Sequence, residues 1–130
     1  MNEANSEKIS EEEVFANAYY YFLEALKILA CDADTQCKIM GNYNVAWELK
    51  DDVCRGFYLL DMPKGELSVE ERNGISELIS ALSEIPDSVL ASADSEVANR
   101  KAMNDPCWIP LRIKASNLIR VLHNARIASE

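Results

Sequence analysis

Histidine occurs once in this chain, and glycine and proline four times each. Each scarcity removes a kind of chemistry. Gly41, Gly56, Gly65 and Gly74 stand alone, so no glycine-rich loop can cradle a phosphate. The single histidine, His123, allows neither an HxxxH pair nor the repeated Glu-x-x-His of di-iron bundles. Cys31, Cys37, Cys54 and Cys107 include no CxxC, and no EF-hand loop is present. No metal or cofactor site is therefore expected. A nucleophile needs a neighbouring base. The lone His123 lies near the C-terminus of the last helix, where it suits the dipole. A catalytic Cys–His pair would need Cys54 or Cys107 in one polar pocket with His123. No catalytic residue is expected.

Positive charge is also short: 13 Lys and Arg face 22 Asp and Glu, for a net charge of -9. Such a balance opposes binding to nucleic-acid backbones and to anionic membranes. It favours solubility and a basic partner. The bases that exist gather late, at Arg100, Lys101, Arg112, Lys114, Arg120 and Arg126. They can offset the acidic helices and complement the last helix's C-terminal dipole, or they can bind an acid.

Long apolar runs are missing too. The most apolar stretch, AYYYFLEALKILAC, is too short to span a bilayer and contains Glu24 and Lys27. The opening MNEANSEKISEEE has neither a basic nor an apolar region of a signal peptide. The expectation is a cytoplasmic protein with four reduced thiols.

What remains is helical patterning. β-branched alternation is scarce, and apolar residues recur at three and four. The chain reads as an all-α protein, a single compact bundle of five or six helices over residues 10–130. A disordered acidic tail occupies residues 1–9. SEEE is a capping box that starts the first helix at Ser10. Its core face comprises Val14, Phe15, Ala18, Tyr19, Phe22, Ala25, Leu26 and Leu29. Tyr20 lies opposite and Tyr21 at the margin. A short helix is expected over Thr35–Met40, capped by Asp34. A longer one runs from Asn42 or Asn44 to about Leu60, before a turn at Pro63 and Gly65. Ser68-Val69-Glu70-Glu71 is a second capping box, followed by Ile75, Leu78, Ile79, Leu82 and Ile85. Gly74, inside that helix, predicts close approach by a neighbour. Pro86 ends it, and a one-turn helix follows. Residues 94–103 form a further helix. Asp105 as N-cap and Pro106 at the first position open the last one, with Trp108, Leu111, Ala115, Leu118, Ile119 and Leu122 inward.

One stretch, NVAWELKDDVCRGFYLLD, carries more than a core face. At about 100° per residue, Ala46, Leu49, Val53, Gly56, Phe57 and Leu60 share an apolar sector. Glu48, Asp51, Asp52 and Arg55 share a charged one. Trp47, Cys54 and Tyr58 fill one border. The carboxylates lack a base or metal, so they read as a solvated face and not as an acid–base pair. Aromatic rings beside carboxylates suit a protein interface: the rings anchor and the charges steer a basic partner. Trp47, Glu48, Asp51, Asp52 and Tyr58 are the candidate partner-binding residues. Glu70, Glu77 and Glu84 form an acidic stripe at a spacing of seven. They would extend that surface if the two helices were antiparallel neighbours.

AWELKDDVCRGFYLL and GELSVEERNGISELISALSEIPDSVL resemble immunity proteins of contact-dependent growth inhibition and related polymorphic toxin systems. The resemblance covers about residues 35–90. It implies a cytoplasmic, non-enzymatic bacterial protein whose partner is the C-terminal domain of a co-inherited toxin. Many such toxins are nucleases with basic clefts. The alternative reading is a helical adaptor or regulatory subunit with a different basic partner.

Overall fold

A computed structural model describes residues 10–41, 43–62, 67–91 and 95–128, with side chains through residue 125. The tail, Asn42, the Pro63–Gly65 turn, Asp94 and the Arg126 side chain lie outside the described residues. The described chain is all-α and has no strand. Its segments are α1 (Glu11–Leu29), α2 (Ala33–Met40), α3 (Val45–Cys54), α4 (Phe57–Leu60), α5 (Val69–Leu82), α6 (Asp87–Leu90), α7 (Glu96–Met103) and α8 (Trp108–Ala128). They pack around one hydrophobic cluster.

Both capping boxes form. Ser10 Oγ accepts from the Glu13 amide at 3.1 Å, and Ser68 Oγ accepts from the Glu71 amide at 3.1 Å. Glu71 Oε1 in turn accepts from the Ser68 amide at 2.8 Å, and this carboxylate is buried. Each box satisfies amides that a helix start otherwise leaves unpaired.

α3 is the central element. Val45, Ala46, Leu49 and Val53 are wholly buried, and α3 touches α1, α2, α5, α6 and α7. Two asparagines tie down its N-terminus. Asn44 Oδ1 accepts from the Trp47 amide, and Asn44 Nδ2 donates to the Leu90 carbonyl at 2.7 Å. Asn99, buried on α7, accepts from the Val45 amide at 3.0 Å and donates to the Tyr43 carbonyl at 2.8 Å.

α5 and α8 form the most extensive helix pair. Gly74 lets them close: a Cβ there would lie 2.7 Å from Leu118 Cδ1, as its placement in the sequence led us to expect. Trp108 is buried at the start of α8, and its Nε1 donates to the Ala102 carbonyl at 3.0 Å.

Several expectations need correction. The helix expected up to Leu60 is broken at Arg55–Gly56. There the bonds tighten to three-residue spacing, from Gly56 to Val53, Tyr58 to Arg55 and Leu59 to Gly56. Gly56 is the contact point: an added Cβ would sit 2.5 Å from Phe22 Cε1. The break turns the following residues, so Leu59 enters the core. Phe57, expected inside, is exposed, and Leu60 is only half-buried. Val14 is also exposed, because the core does not reach the first turn of α1.

The cap of α2 is Asp32, whose Oδ1 accepts from the Thr35 amide at 2.8 Å. Asp34 instead pairs with Arg100 at 2.5 Å and Lys38 at 3.2 Å. Arg100 and Lys38 hold the Asp34 carboxyl below the usual range. Asp105 closes a turn ahead of α8, accepting from the Cys107 amide, and the helix begins at Trp108.

Candidate protein-binding cleft

The chain has ten aromatic residues, and six of them are exposed: Tyr20, Tyr21, Tyr43, Trp47, Phe57 and Tyr58. Folding accounts for Phe15, Phe22 and Trp108, which are buried. It does not account for six solvent-facing rings between residues 20 and 58. Concentrated exposed aromatics mark interfaces more often than neutral surface.

Three of these rings, Tyr21, Phe57 and Tyr58, meet beside the break after α3. Between α1 and the α3–α4 segment lies a cleft of about 720 Å³. Ala18 and Tyr21 line one wall, and Asp51, Cys54, Arg55, Phe57, Tyr58 and Met62 line the other. On α1, Val14, Ala18 and Tyr21 recur at four and three, so they share one helical face. Tyr21 is 70% exposed, Phe57 53% and Tyr58 63%. The rings pair edge to face, Tyr20 with Tyr21 at 5.3 Å and Phe57 with Tyr58 at 6.1 Å between centroids. Such pairing holds the rings in place without burying them.

The structure gathers only part of the expected surface. Asp51 and Tyr58 meet in the cleft, and Asp51 forms an ion pair with Arg55 at 3.1 Å. Trp47, 51% exposed, stands one turn before Asp51 on α3, outside the cleft lining. Glu48 and Asp52 sit one turn apart on α3 and do not line the cleft. Neither makes an ion pair among the described residues. Burial, and then the Glu48 carboxylate, push the Asp52 carboxyl up from its ordinary value.

Glu70, Glu77 and Glu84 are exposed but do not extend this surface. Glu77 and Glu84 each line a shallow cleft between α5 and α8, and Lys114 lines both. Glu77 and Glu84 therefore border the last helix beside Lys114. Tyr20, Tyr21 and Phe57 are functional candidates that the sequence reading left out. The recurrence of Val14, Ala18 and Tyr21 was the available signal.

Three of the six bases in the basic cluster are engaged in the fold. Arg100 holds Asp34. Arg112 reaches inward, where its Nη2 donates to Gln36 Oε1 at 2.9 Å and to the Met103 carbonyl at 2.6 Å. Gln36, buried, donates to the Ile28 and Leu29 carbonyls at the end of α1. Arg120 bonds Asn117 on its own helix.

Cys37 is buried, and Cys31, Cys54 and Cys107 are half-buried. All four are free. Burial pushes the Cys37 and Cys54 thiols up from their ordinary value. Burial, then the Asp105 side chain, pushes Cys107 up to about 11. Activated cysteines are shifted the other way. Cys54, Cys107 and His123 line three separate clefts. No helix among the described residues is long and apolar enough to cross a membrane.

No family model, curated protein or solved structure matches this chain. The cleft's own geometry is what bears on function.

Asp52 also yields a stability test. Its folded pKa is raised, so the native state binds the proton more tightly than the unfolded chain does. Stability is then lost as pH rises from the ordinary carboxyl pKa through the raised one. Replacing Asp52 with Asn removes that loss and the repulsion from Glu48. Asp52 is only half-buried, so water screens the effect, and a gain of about 0.5 kcal/mol is expected near neutral pH. It should vanish near about pH 3, where carboxyls are protonated. Urea midpoints at the two pH values measure it. A lower midpoint for Asp52→Asn at neutral pH would show that the carboxylate makes a stabilising native contact.

Proposed function

We propose that this chain is a non-catalytic protein-binding module. In its sharper form, it is a cytoplasmic immunity protein that neutralises the basic C-terminal domain of a cognate toxin, such as a nuclease. One observation carries the reading: exposed aromatic rings are concentrated around an open cleft on a strongly acidic protein. The class of partner, a toxin domain, is what the resemblance of residues 35–90 to immunity proteins implies.

The mechanism is steric and electrostatic. The net charge accelerates encounter with a basic domain. Glu48, Asp51 and Asp52 stand where nucleic-acid phosphates would otherwise sit. Trp47, Phe57 and Tyr58 slow dissociation, because truncated aromatic anchors act mostly on the off-rate.

The test is co-expression with the C-terminal toxin domains encoded in the same genome. Growth rescue by the wild-type chain is expected for one of them. With that domain purified, joint replacement of Asp51 and Asp52 by Lys should weaken binding at least ~10-fold and flatten its salt dependence. If no toxin domain is neutralised, the immunity reading falls. If affinity and salt slope survive the reversal, the carboxylates are not in the interface.

A further inference from the structure

We infer that the cleft between α1 and α4 receives an amphipathic α-helix of the partner, apolar on one face and rich in Lys or Arg on its flanks. The inference rests on the protein-binding reading above and specifies how the partner is held.

Shape comes first. The cleft is open to solvent and lined mostly by apolar side chains, with α1 on one side and the α3–α4 segment on the other. Small-molecule sites enclose most of their ligand, which an open trough does not do. A third helix laid along two others is the ordinary complement of such a surface. Val14, Ala18 and Tyr21 cover seven residue steps of α1, about 10 Å along its axis, or two turns of a docked helix. Strand addition needs a sheet edge, and the described residues contain no strand.

Charge complementarity selects the flanks. Arg55, the one base among the described lining residues, is tied to Asp51. Glu11 shares the cleft-facing side of α1, seven residues before Ala18. Asp61 follows α4 directly and is exposed. Glu48 and Asp52, one step round α3, have no ion-pair partner among the described residues. A helix with Leu, Met or Phe inward and Lys or Arg at its margins would meet apolar walls and acidic rims together. A second copy of this chain would bring a further net charge of -9, which opposes self-association.

Four peptides of about eighteen residues, long enough to hold a helix, test this on the full chain labelled with ¹⁵N. The first is a designed amphipathic peptide with Leu on one face and Lys on the other. The second is its scrambled isomer, the third replaces each Lys with Glu, and the fourth is proline-rich with the same net charge. The Leu/Lys peptide should become helical and shift amides of Ala18, Tyr21, Cys54 and Tyr58. The scrambled and Glu peptides should bind at least ~10-fold more weakly. Joint Tyr21→Ala and Tyr58→Ala replacement should weaken binding about 10-fold or more. Both rings are exposed, so unchanged circular dichroism is expected.

Equal binding of the scrambled isomer, shifts confined to another face, or preference for the proline-rich peptide would overturn the inference. So would cleft shifts that depend on protein concentration alone, the mark of a second copy. Growth rescue with shifts elsewhere would sink the helix mode and leave the immunity reading standing. Cleft shifts without rescue of any toxin domain would do the reverse.

Discussion

Replacing Trp108 with Ala should lower folding stability by about 3–5 kcal/mol. Trp108 is the largest fully buried side chain, at the junction where α7 hands over to α8. Truncation opens a cavity and also removes the donor to the Ala102 carbonyl. In a domain of this size the melting temperature should fall by roughly 10–20 °C. Trp108→Phe keeps most of the packing and loses the hydrogen bond, so it should lie between. Ile113→Ala, on the exposed side of the same helix, should change stability by less than about 0.5 kcal/mol. Chemical denaturation of the three variants measures this. If Trp108→Ala matched Ile113→Ala, the core assigned here would be wrong.

Asn99→Ala should cost about 2–4 kcal/mol, through the backbone and not through packing. Its side chain satisfies the Val45 amide and the Tyr43 carbonyl at once. The Val45 amide would be left buried without a partner, at about 1–3 kcal/mol, and the part-buried Tyr43 carbonyl would lose its donor at a smaller cost. Asn99→Asp separates the two contributions. It keeps the acceptor for Val45 but sets a carboxylate against the Tyr43 carbonyl. Amide exchange reads the site directly: in Asn99→Ala the Val45 amide should lose protection first. A loss under about 0.5 kcal/mol would mean that water replaces the side chain.

Most of the fold was legible because it rests on local rules. Ser10 with Glu13, and Ser68 with Glu71, announce two helix starts by spacing alone. Gly74 announced a close approach before its partner Leu118 was known. The misread parts depend on distant residues. Gly56 falls in phase with Val53 and Leu60, so the pattern reads as unbroken helix. The break coincides with a contact to Phe22, more than thirty positions away, whose ring occupies the space a Cβ would need. Asp32 and Asp34 are both competent caps. Arg100 draws Asp34 aside, and Asp32 takes the role. Arg112 looked like one more surface base, because nothing local shows that Gln36 waits inside to accept from it. Asn99 sits in an otherwise polar segment, and its two backbone partners lie more than fifty residues back.

The candidate site was legible in half. Trp47, Asp51 and Tyr58 stand out because no core needs them. Tyr21 and Phe57 did not, because their exposure depends on where α1 and α4 meet.

The break at Arg55–Gly56 also bears on how the protein can change over time. α4 is four residues long, and only Leu59 within it is committed to the interior. Phe57 and Tyr58 can vary while α3, with its fully buried face and its asparagine ties, stays intact. A lineage can revise the ring-bearing wall of its cleft one substitution at a time without endangering the scaffold.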